Sequence, residues 1–319
     1  MNSQKGCSSS FPSLFFSMNR KVVILIFAHK SVLEWYEAIS LEQCFRVLDR
    51  HPIRLVCPTG LDVSAYRRIA PAIEIDFIPP HWLASRRAYN RLKILPWLYR
   101  RYADHEFILT YELDAFVFRD ELLDWCEQGW DYIGAPWFEC YDHARPDAAP
   151  IGVGNSGLSL RRISTMLRVM RSWKAIRPPI EVFSQWRRYY NLSAGGLWQL
   201  FGNLIWRNCF HHYLNRFGEN EDIFWSCADA RIEGFRLAPH EVARRFSFEA
   251  NPERLFLECG NKLPFGCHKW MEYQPDFWKP LIEVEGYRWL AAGDNAAENV
   301  EADASNRSRT AARSRPTLS

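Results

Sequence analysis

The sequence lacks several patterns that would assign it to a class of protein directly. Its 319 residues carry a net charge of only +3, which is too small to indicate a nucleic-acid-binding protein. The longest apolar run near the start, residues 22–28, is far shorter than the roughly 20 residues of a transmembrane helix. A glycine-rich segment at 152–157 is not followed by Lys-Ser/Thr, which excludes a phosphate-binding P-loop.

The nine cysteines are scattered, odd in number and never spaced as C-x-x-C. This pattern argues against a disulfide framework and against a structural zinc site. No clear export signal precedes the first apolar run, so we expect a reducing, cytoplasmic location. The composition, 48% hydrophobic and 24% charged, is that of an ordinary globular protein.

Strands and helices alternate over the first third of the chain. Apolar runs at 22–28, 53–57, 73–78 and 107–110 predict strands, and the segments between them, at 31–49, 64–69, 84–95 and 97–102, predict helices. This alternation predicts an α/β fold with a Rossmann-like, mostly parallel sheet and helices on both faces. Ligands of such sheets bind at the carboxyl ends of the strands.

Two acids stand where the fourth predicted strand ends. Glu112 and Asp114 are two residues apart, so on an extended chain their side chains share one face. Carboxylates at the end of an apolar strand need a partner, and a divalent cation with oxygen ligands is one. The alternative is that both acids only end a strand at the surface.

Four later segments follow these acids in a recognisable order. They are Tyr-Ile-Gly-Ala-Pro-Trp at 132–137, the glycine-rich segment continuing to 162, Gly-Glu-Asn-Glu-Asp at 218–222 and Phe-Gly-Cys-His-Lys-Trp at 265–270. On this order the chain resembles a bacterial and fungal family of unassigned function, domain of unknown function 5672. That family is similar to the nucleotide-sugar glycosyltransferases of the A type, and the resemblance covers roughly residues 21–279.

The resemblance implies a single catalytic domain at 21–290 with the A-type fold. Residues 21–118 would form its nucleotide-binding half and 119–290 its acceptor half. Residues 1–20 are expected to form a flexible tail. Residues 291–319 lack apolar periodicity and are expected to be disordered.

The resemblance also implies a divalent cation, Mn²⁺ or Mg²⁺, held by Asp114 and His268. Glu112 would be a third ligand, or would reach the ribose or a metal-bound water. An imidazole completing a mixed oxygen–nitrogen site suits Mn²⁺. The alternative for His268 is a buried histidine that is hydrogen-bonded beside Trp270.

For catalysis, similar inverting enzymes place a general base at the last acid of the Asn-Glu-Asp segment. That acid is Asp222 here, and Glu221 would hold the acceptor. The alternative is structural: Asn220 caps a helix, and both acids lie favourably near its amino end.

The remaining expected contacts are to the sugar nucleotide. Asn155 and Gly154 would lie beside the sugar, although a tight turn explains the glycines equally well. A solvated basic helix is the alternative for the residues near 90. The full set expected to bind the donor is His29, Tyr89, Asn90, Lys93, Glu112, Gly154, Asn155 and Lys269.

The expected function is therefore transfer of a sugar from a nucleotide diphosphate sugar to a saccharide or lipid-linked saccharide, in surface polysaccharide or glycolipid synthesis. Two alternatives stay open: a nucleotidyl- or phosphotransferase with the same metal site, and a carbohydrate-binding protein without catalysis. Aromatic and basic residues interleave over 171–217, a combination that suits a membrane interface, and peripheral contact with the inner face of a membrane is one hypothesis for it. Packing of those aromatic side chains in the core is the alternative.

Overall fold

The computed structural model describes residues 20–189, 193–226 and 232–290. The predicted tails at 1–20 and 291–319 therefore lie outside the described residues, except Arg20, which begins the first strand. The described strands are β1 (Arg20–Phe27), β2 (Ile53–Pro58), β3 (Glu74–Ile78), β4 (His105–Tyr111), β5 (Ala115–Val117), β6 (Tyr132–Ile133), β7 (Ala135–Phe138), β8 (Pro150–Gly154), β9 (Leu158–Arg162), β10 (Ser247–Phe248) and β11 (Gly266–His268).

The α-helices are mostly short. In chain order they are α1 (Trp35–Leu48), α2 (Ser64–Ile69), α3 (Arg86–Lys93), α4 (Pro96–Arg101), α5 (Leu122–Glu127), α6 (Ile163–Met170), α7 (Pro179–Tyr189), α8 (Ala194–Ile205), α9 (Phe210–Arg216), α10 (Glu221–Ser226), α11 (His240–Phe246), α12 (Pro252–Glu258) and α13 (Pro275–Val284). Single 3₁₀ turns form at Pro80–Leu83 and Tyr141–His143.

The central sheet has the strand order β3-β2-β1-β4-β9-β6. Neighbouring strands are parallel from β3 to β4, whereas β9 runs antiparallel to both β4 and β6. Alternate residues of β1 belong to different apolar clusters: Val22, Ile24 and Ile26 pack on one face, and Val23, Leu25 and Phe27 on the other. Helices cover both faces, so the predicted α/β class with a mostly parallel sheet is confirmed.

A smaller sheet has the order β10-β11-β5 and continues from the end of β4. Strand β11 runs antiparallel to β5 with His268 opposite Ala115. This register sets the imidazole beside the acids that precede β5. The sheet rests on a third cluster of buried residues, which includes Phe116, Trp270 and Trp278.

The glycine-rich segment forms a turn only in its last residues. Residues Pro150–Gly154 form β8 and pair with β7, and the chain turns only at 155–157 before β9. The reason is steric. Gly154 lies under the indole of Trp137, where a Cβ would be 2.3 Å from a ring carbon. Its missing side chain therefore lets an aromatic ring lie on the strand.

The region 172–218, for which the sequence predicted no elements, contains α7, α8 and α9. The predicted helix at 84–95 is shorter, because Ser85 caps α3 by accepting a hydrogen bond from the backbone N–H of Ala88. Within the described residues, no helix is both long and apolar enough to cross a membrane.

We expect Gly154→Ala to lower the free energy of unfolding by about 1–3 kcal/mol, because its methyl group would displace the Trp137 ring. Gly152→Ala is the matched control on the same strand. A Cβ there meets nothing within 4 Å, so stability should stay unchanged or rise slightly. Urea unfolding measures both variants, and equal losses would contradict the steric account.

Candidate active site

The acid-x-acid motif forms a tight turn between β4 and β5. The backbone N–H of Ala115 donates to the carbonyl of Glu112 at 2.9 Å, and the N–H of Glu112 donates to the carbonyl of Gly157 at 2.8 Å. The second bond ties the motif to the turn that precedes β9. Both acids are half-buried, so their carboxylates are held by the backbone and still open to the cleft.

His268 completes this group across the β5–β11 pairing. Its Nε2 lies 3.0 Å from Oδ1 of Asp114 and 3.8 Å from Oε2 of Glu112, and the residue is buried. Burial alone would lower the pKa of His268, but the neighbouring carboxylates, Asp114 first among them, outweigh it and hold the pKa well above its usual range. A cation binding there would displace the proton, since only neutral imidazole is a ligand.

The other ring nitrogen of His268 has its own partner. Nδ1 lies 2.8 Å from Oε1 of Glu249, which follows β10. A carboxylate on Nδ1 holds the proton there and turns the lone pair of Nε2 towards the acids. Glu249 thus fixes the tautomer that a metal ligand requires.

The three side chains fit a divalent cation. One ligand atom each from Glu112, Asp114 and His268 can be chosen so that all lie within 4.8 Å of one another. Oδ1 of Asp114 and Nε2 of His268 are buried, and neither has a well-formed hydrogen bond among the described residues. A Cβ on Gly157 would lie 1.9 Å from Nε2, so the glycine keeps space beside that nitrogen. Oxygen and imidazole ligands together suit a hard or borderline divalent cation better than a soft metal.

Glu112 is oriented by a fully buried lysine. Nζ of Lys93 lies 2.7 Å from Oε1 of Glu112 and also donates to the carbonyl and hydroxyl oxygens of Ser156. Tyr89 donates its hydroxyl to the same Oε1 at 2.7 Å. Burial would raise the pKa of Glu112, but Lys93 and His268 reverse this and hold it well below its usual range. Glu112 is therefore ionised, with Oε2 facing His268.

A second buried ion pair joins β9 to α10. Arg161 and Glu221 are both fully buried and paired, and Arg161 also donates to Ser159 and Tyr99. The hydroxyl of Ser156 lies 3.3 Å from Oε1 of Glu221, which links the pair to the Lys93 network. Glu221, expected to hold an acceptor, does not line the cleft.

Asp222, the next residue, does line the cleft. Burial, followed by the charges of Glu221 and Glu249, raises the pKa of Asp222 to about 7. A carboxyl group that titrates near neutral pH is matched to accepting a proton from a hydroxyl group.

The cleft that these groups share has a volume of about 910 Å³. It opens beyond the carboxyl ends of β1 and β4, where ligands of parallel sheets bind. Nine residues predicted for the site line it: His29, Tyr89, Asn90, Glu112, Asp114, Asn155, Asp222, His268 and Lys269. Lys93, Gly154 and Glu221 lie behind that surface.

The side-chain oxygen of Asn155 accepts hydrogen bonds, whereas its side-chain nitrogen donates none to the described residues. Its Oδ1 accepts the backbone N–H groups of Gly157 and Leu158, which shapes the turn before β9. Its Nδ2 is buried and has no hydrogen-bond partner among the described residues. Because Asn155 lines the cleft, this amide is suited to donate to a bound oxygen atom.

The other predicted residues are placed as follows. His29 is exposed just after β1. Asn90 donates to the side-chain oxygen of Asn220 at 3.0 Å, which joins α3 to the start of α10. Lys269 has a left-handed backbone, with φ of 52°, and its ammonium lies 3.4 Å from Glu272.

Sequence reasoning missed four side chains of this site. Glu249 is a lone acid between Phe248 and Ala250, a signal that could have marked it. Arg161 pairs only through the tertiary fold, and no local pattern announces its burial. The other two, Trp137 and Tyr141, line the cleft with rings 5.4 Å apart.

Several solved structures are similar to this chain at low identity. The galactosyltransferase LgtC, solved with donor and acceptor sugar analogs, is 15% identical, with a TM-score of 0.44 over 82% of this chain and 95% of that one. Mouse xyloside xylosyltransferase 1 is 11% identical, with a TM-score of 0.42 over 78% and 97%. A cytidylyltransferase from Leptospira borgpetersenii is 12% identical, with a TM-score of 0.35 over 91% and 96%. None of these distant likenesses carries a substrate over to this chain.

No curated protein matches the sequence significantly. Residues 72–268 match a family described as "Protein of unknown function (DUF5672)". The matched segment includes the acid motif, the glycine-rich turn, Arg161, Asp222 and His268, and it spans more than half of the chain. The chain therefore belongs to the DUF5672 family.

Proposed function

We propose that this protein is a metal-dependent glycosyltransferase that moves a sugar from a nucleotide diphosphate sugar to a hydroxyl acceptor. One observation carries the proposal: Glu112, Asp114 and His268 converge in a large cleft at the carboxyl ends of the sheet, and in the same cleft burial raises the pKa of Asp222 to about 7. The first group suits a cation that binds a diphosphate, and the second suits a base for a hydroxyl group.

The proposed metal ligands are Asp114, His268 and Oε2 of Glu112. Oε1 of Glu112 is already held by Lys93 and Tyr89, so the carboxylate has a fixed direction. A bound cation would supply a Lewis acid that stabilises the charge on a departing diphosphate. The mixed oxygen and nitrogen ligands favour Mn²⁺, with Mg²⁺ as the alternative.

Asp222 is the proposed general base of an inverting transfer, in which its carboxylate accepts the proton of the acceptor hydroxyl. In this proposal Glu221 does not contact the acceptor. It is buried against Arg161, and its charge helps to raise the pKa of Asp222. Asn155 is proposed to donate its open amide N–H to the transferred sugar.

The rings of Trp137 and Tyr141 support a saccharide acceptor. Both line the cleft, and Tyr141 is half exposed on a left-handed backbone with φ of 46°. Aromatic faces pack well against the apolar faces of sugar rings. We extend the proposal to an acceptor carried on a lipid, as in surface polysaccharide or glycolipid synthesis.

A cytoplasmic location belongs to the same proposal. The seven cysteines within the described residues are all free thiols, and five of them are buried. Free thiols persist in reducing compartments, where disulfides are rare.

Product analysis tests the proposed reaction. The protein is incubated with Mn²⁺, a panel of nucleotide sugars labelled in the sugar, and mono- and disaccharide acceptors. Label in a new saccharide supports the proposal. Transfer of the nucleotidyl group instead of the labelled sugar identifies a nucleotidyltransferase. Saccharide binding that persists with a chelator, and without any turnover, identifies a binding protein.

Asp114→Asn should abolish cation-dependent binding of a nucleoside diphosphate, because it removes a charged ligand from the proposed metal site. Calorimetric titration with Mn²⁺, and again with a chelator, measures the effect. Asp147→Asn changes an exposed acid away from the cleft and is the matched control. Affinity that is equal in the wild type and in Asp114→Asn, with or without chelator, would refute the assignment.

Glu249→Ala should weaken Mn²⁺ binding about 10–100-fold, because His268 loses the carboxylate that fixes its tautomer. Glu249→Gln keeps an oxygen acceptor for Nδ1–H and should recover part of the affinity. Competition with a fluorescent metal indicator gives the affinities without any assay of turnover. Equal Mn²⁺ affinity in all three proteins would show that Glu249 does not orient the ligand.

Asp222→Asn should keep donor binding but lower kcat by about 10²–10⁴, the usual cost of losing a positioned base. In the wild type, kcat/KM should rise with pH up to about 7, because Asp222 must lose its proton and its pKa is raised to about 7. A bound cation would lower the pKa of Asp222. The variant should lose this rise; full activity in Asp222→Asn would overturn the assignment.

A further inference from the structure

Helices α7 and α8 form a unit apart from the main core. None of the described residues in 179–206 belongs to the three large apolar clusters of the molecule. The segment leaves and rejoins the fold at a narrow neck, where the side chain of Asn208 accepts from the N–H of Arg177 and donates to its carbonyl. The N–H of Ile176 also donates to the carbonyl of Asn208.

The two helices use few of their apolar side chains to pack on one another. Val182 and Trp186 are buried, and the indole N–H of Trp186 donates to the carbonyl of Gly196 at 2.7 Å. Many others face outward. The large apolar side chains that are exposed in and beside these helices are Trp173, Ile180, Phe183, Leu197, Trp198, Phe201, Ile205 and Trp206.

Helix α8 concentrates this exposed surface. Leu197, Phe201 and Ile205 recur at four-residue spacing and lie on one face, and Trp198 beside them is 68% exposed. The rings of Trp198 and Phe201 stack at 6.1 Å. The helix has no charged residue, unlike an ordinary surface helix, which has a polar face towards water. A contiguous apolar surface of this kind marks an interaction site.

The charges around this surface are almost all of one sign. Exposed basic residues lie in or beside the helices at Lys174, Arg177, Arg187 and Arg207, and of these Lys174 is paired with the exposed Glu233. Glu181 is the one acidic residue that the sequence contains between 173 and 217. The surface therefore complements an anionic partner, and a second copy of the chain would bring like charges together.

We propose that the α7–α8 surface docks on the anionic face of a lipid bilayer. Tryptophan and phenylalanine side chains favour the boundary between headgroups and acyl chains, and the flanking arginine and lysine groups favour anionic headgroups. The helices lie along the membrane rather than across it. This docking is independent of the proposed transferase activity.

Co-sedimentation tests the docking with the full chain and two kinds of vesicle, one of zwitterionic phospholipid and one with anionic phospholipid added. The wild type should bind the anionic vesicles, more weakly as salt is raised. Trp198→Ser with Phe201→Ser should weaken this binding about tenfold or more through lost apolar insertion. Arg187→Glu with Arg207→Glu should do so through lost attraction to headgroups.

A matched control keeps the result specific to this surface. Leu257 and Val284 are 67% and 86% exposed and lie on α12 and α13. Replacing both by Ser should leave vesicle binding unchanged, and thermal unfolding should be the same in all variants. Absence of binding to anionic vesicles at low salt overturns the proposal. So does light scattering that shows a dimer dissociated by the Trp198 and Phe201 changes, without vesicle binding.

Discussion

The candidate active site depends on two ion pairs: Lys93–Glu112, which joins a buried lysine to a carboxylate of the cleft, and Arg161–Glu221, which is buried behind it. Removing charges from water is costly, and the attraction within a buried pair offsets that cost best when further hydrogen bonds engage its remaining oxygen and nitrogen atoms. Ser156 links the two pairs, since its hydroxyl lies near the carboxylates of Glu112 and Glu221 and near the ammonium of Lys93. The pairs join α3, the end of β4, the turn before β9 and α10. Breaking one pair would leave a buried charge and loosen the whole group.

The same pairs explain the electrostatics of the cleft. Lys93 keeps Glu112 ionised although burial opposes it. Burial, followed by the charges of Glu221 and Glu249, raises the pKa of Asp222 and so favours its protonated form. The acids facing His268 hold a proton on it. Negative charge thus exceeds positive charge around the three proposed ligands, which is the condition under which a divalent cation is attracted.

Much of the fold follows from local pattern. The β-branched and aliphatic run in β1 is buried on both faces, as a central parallel strand requires, and its alternation with helices predicted the sheet. The apolar run before Glu112 and Asp114 predicted correctly that these acids follow a strand. The need of such carboxylates for a partner predicted a binding site there. Only the resemblance predicted that His268 lies near these two acids, because β11 and β5, which pair with one another, are some 150 residues apart in the sequence.

Other features escaped prediction for physical reasons. Lys93 has the sequence context of a solvated basic helix, yet its ammonium is buried because Glu112 and Ser156 receive it. Apolar spacing in α8 ordinarily indicates packing against a core, and here those side chains face outward. Burial of a charge and exposure of an apolar face both depend on contacts between distant segments, so single-sequence periodicity does not reveal them.

Pulsed electron paramagnetic resonance of Mn²⁺ tests the central claim most directly, because it reports which nuclei surround the ion. The protein is prepared with ¹⁵N-labelled histidine and titrated with Mn²⁺ in the presence of a nucleoside diphosphate. The account predicts coupling to one imidazole nitrogen and to phosphorus, with the nitrogen coupling lost in His268→Gln. Two results would contradict the account. One is a Mn²⁺ spectrum that, with the protein in excess, stays the same as that of the ion in protein-free solution. The other is a nitrogen coupling that survives His268→Gln.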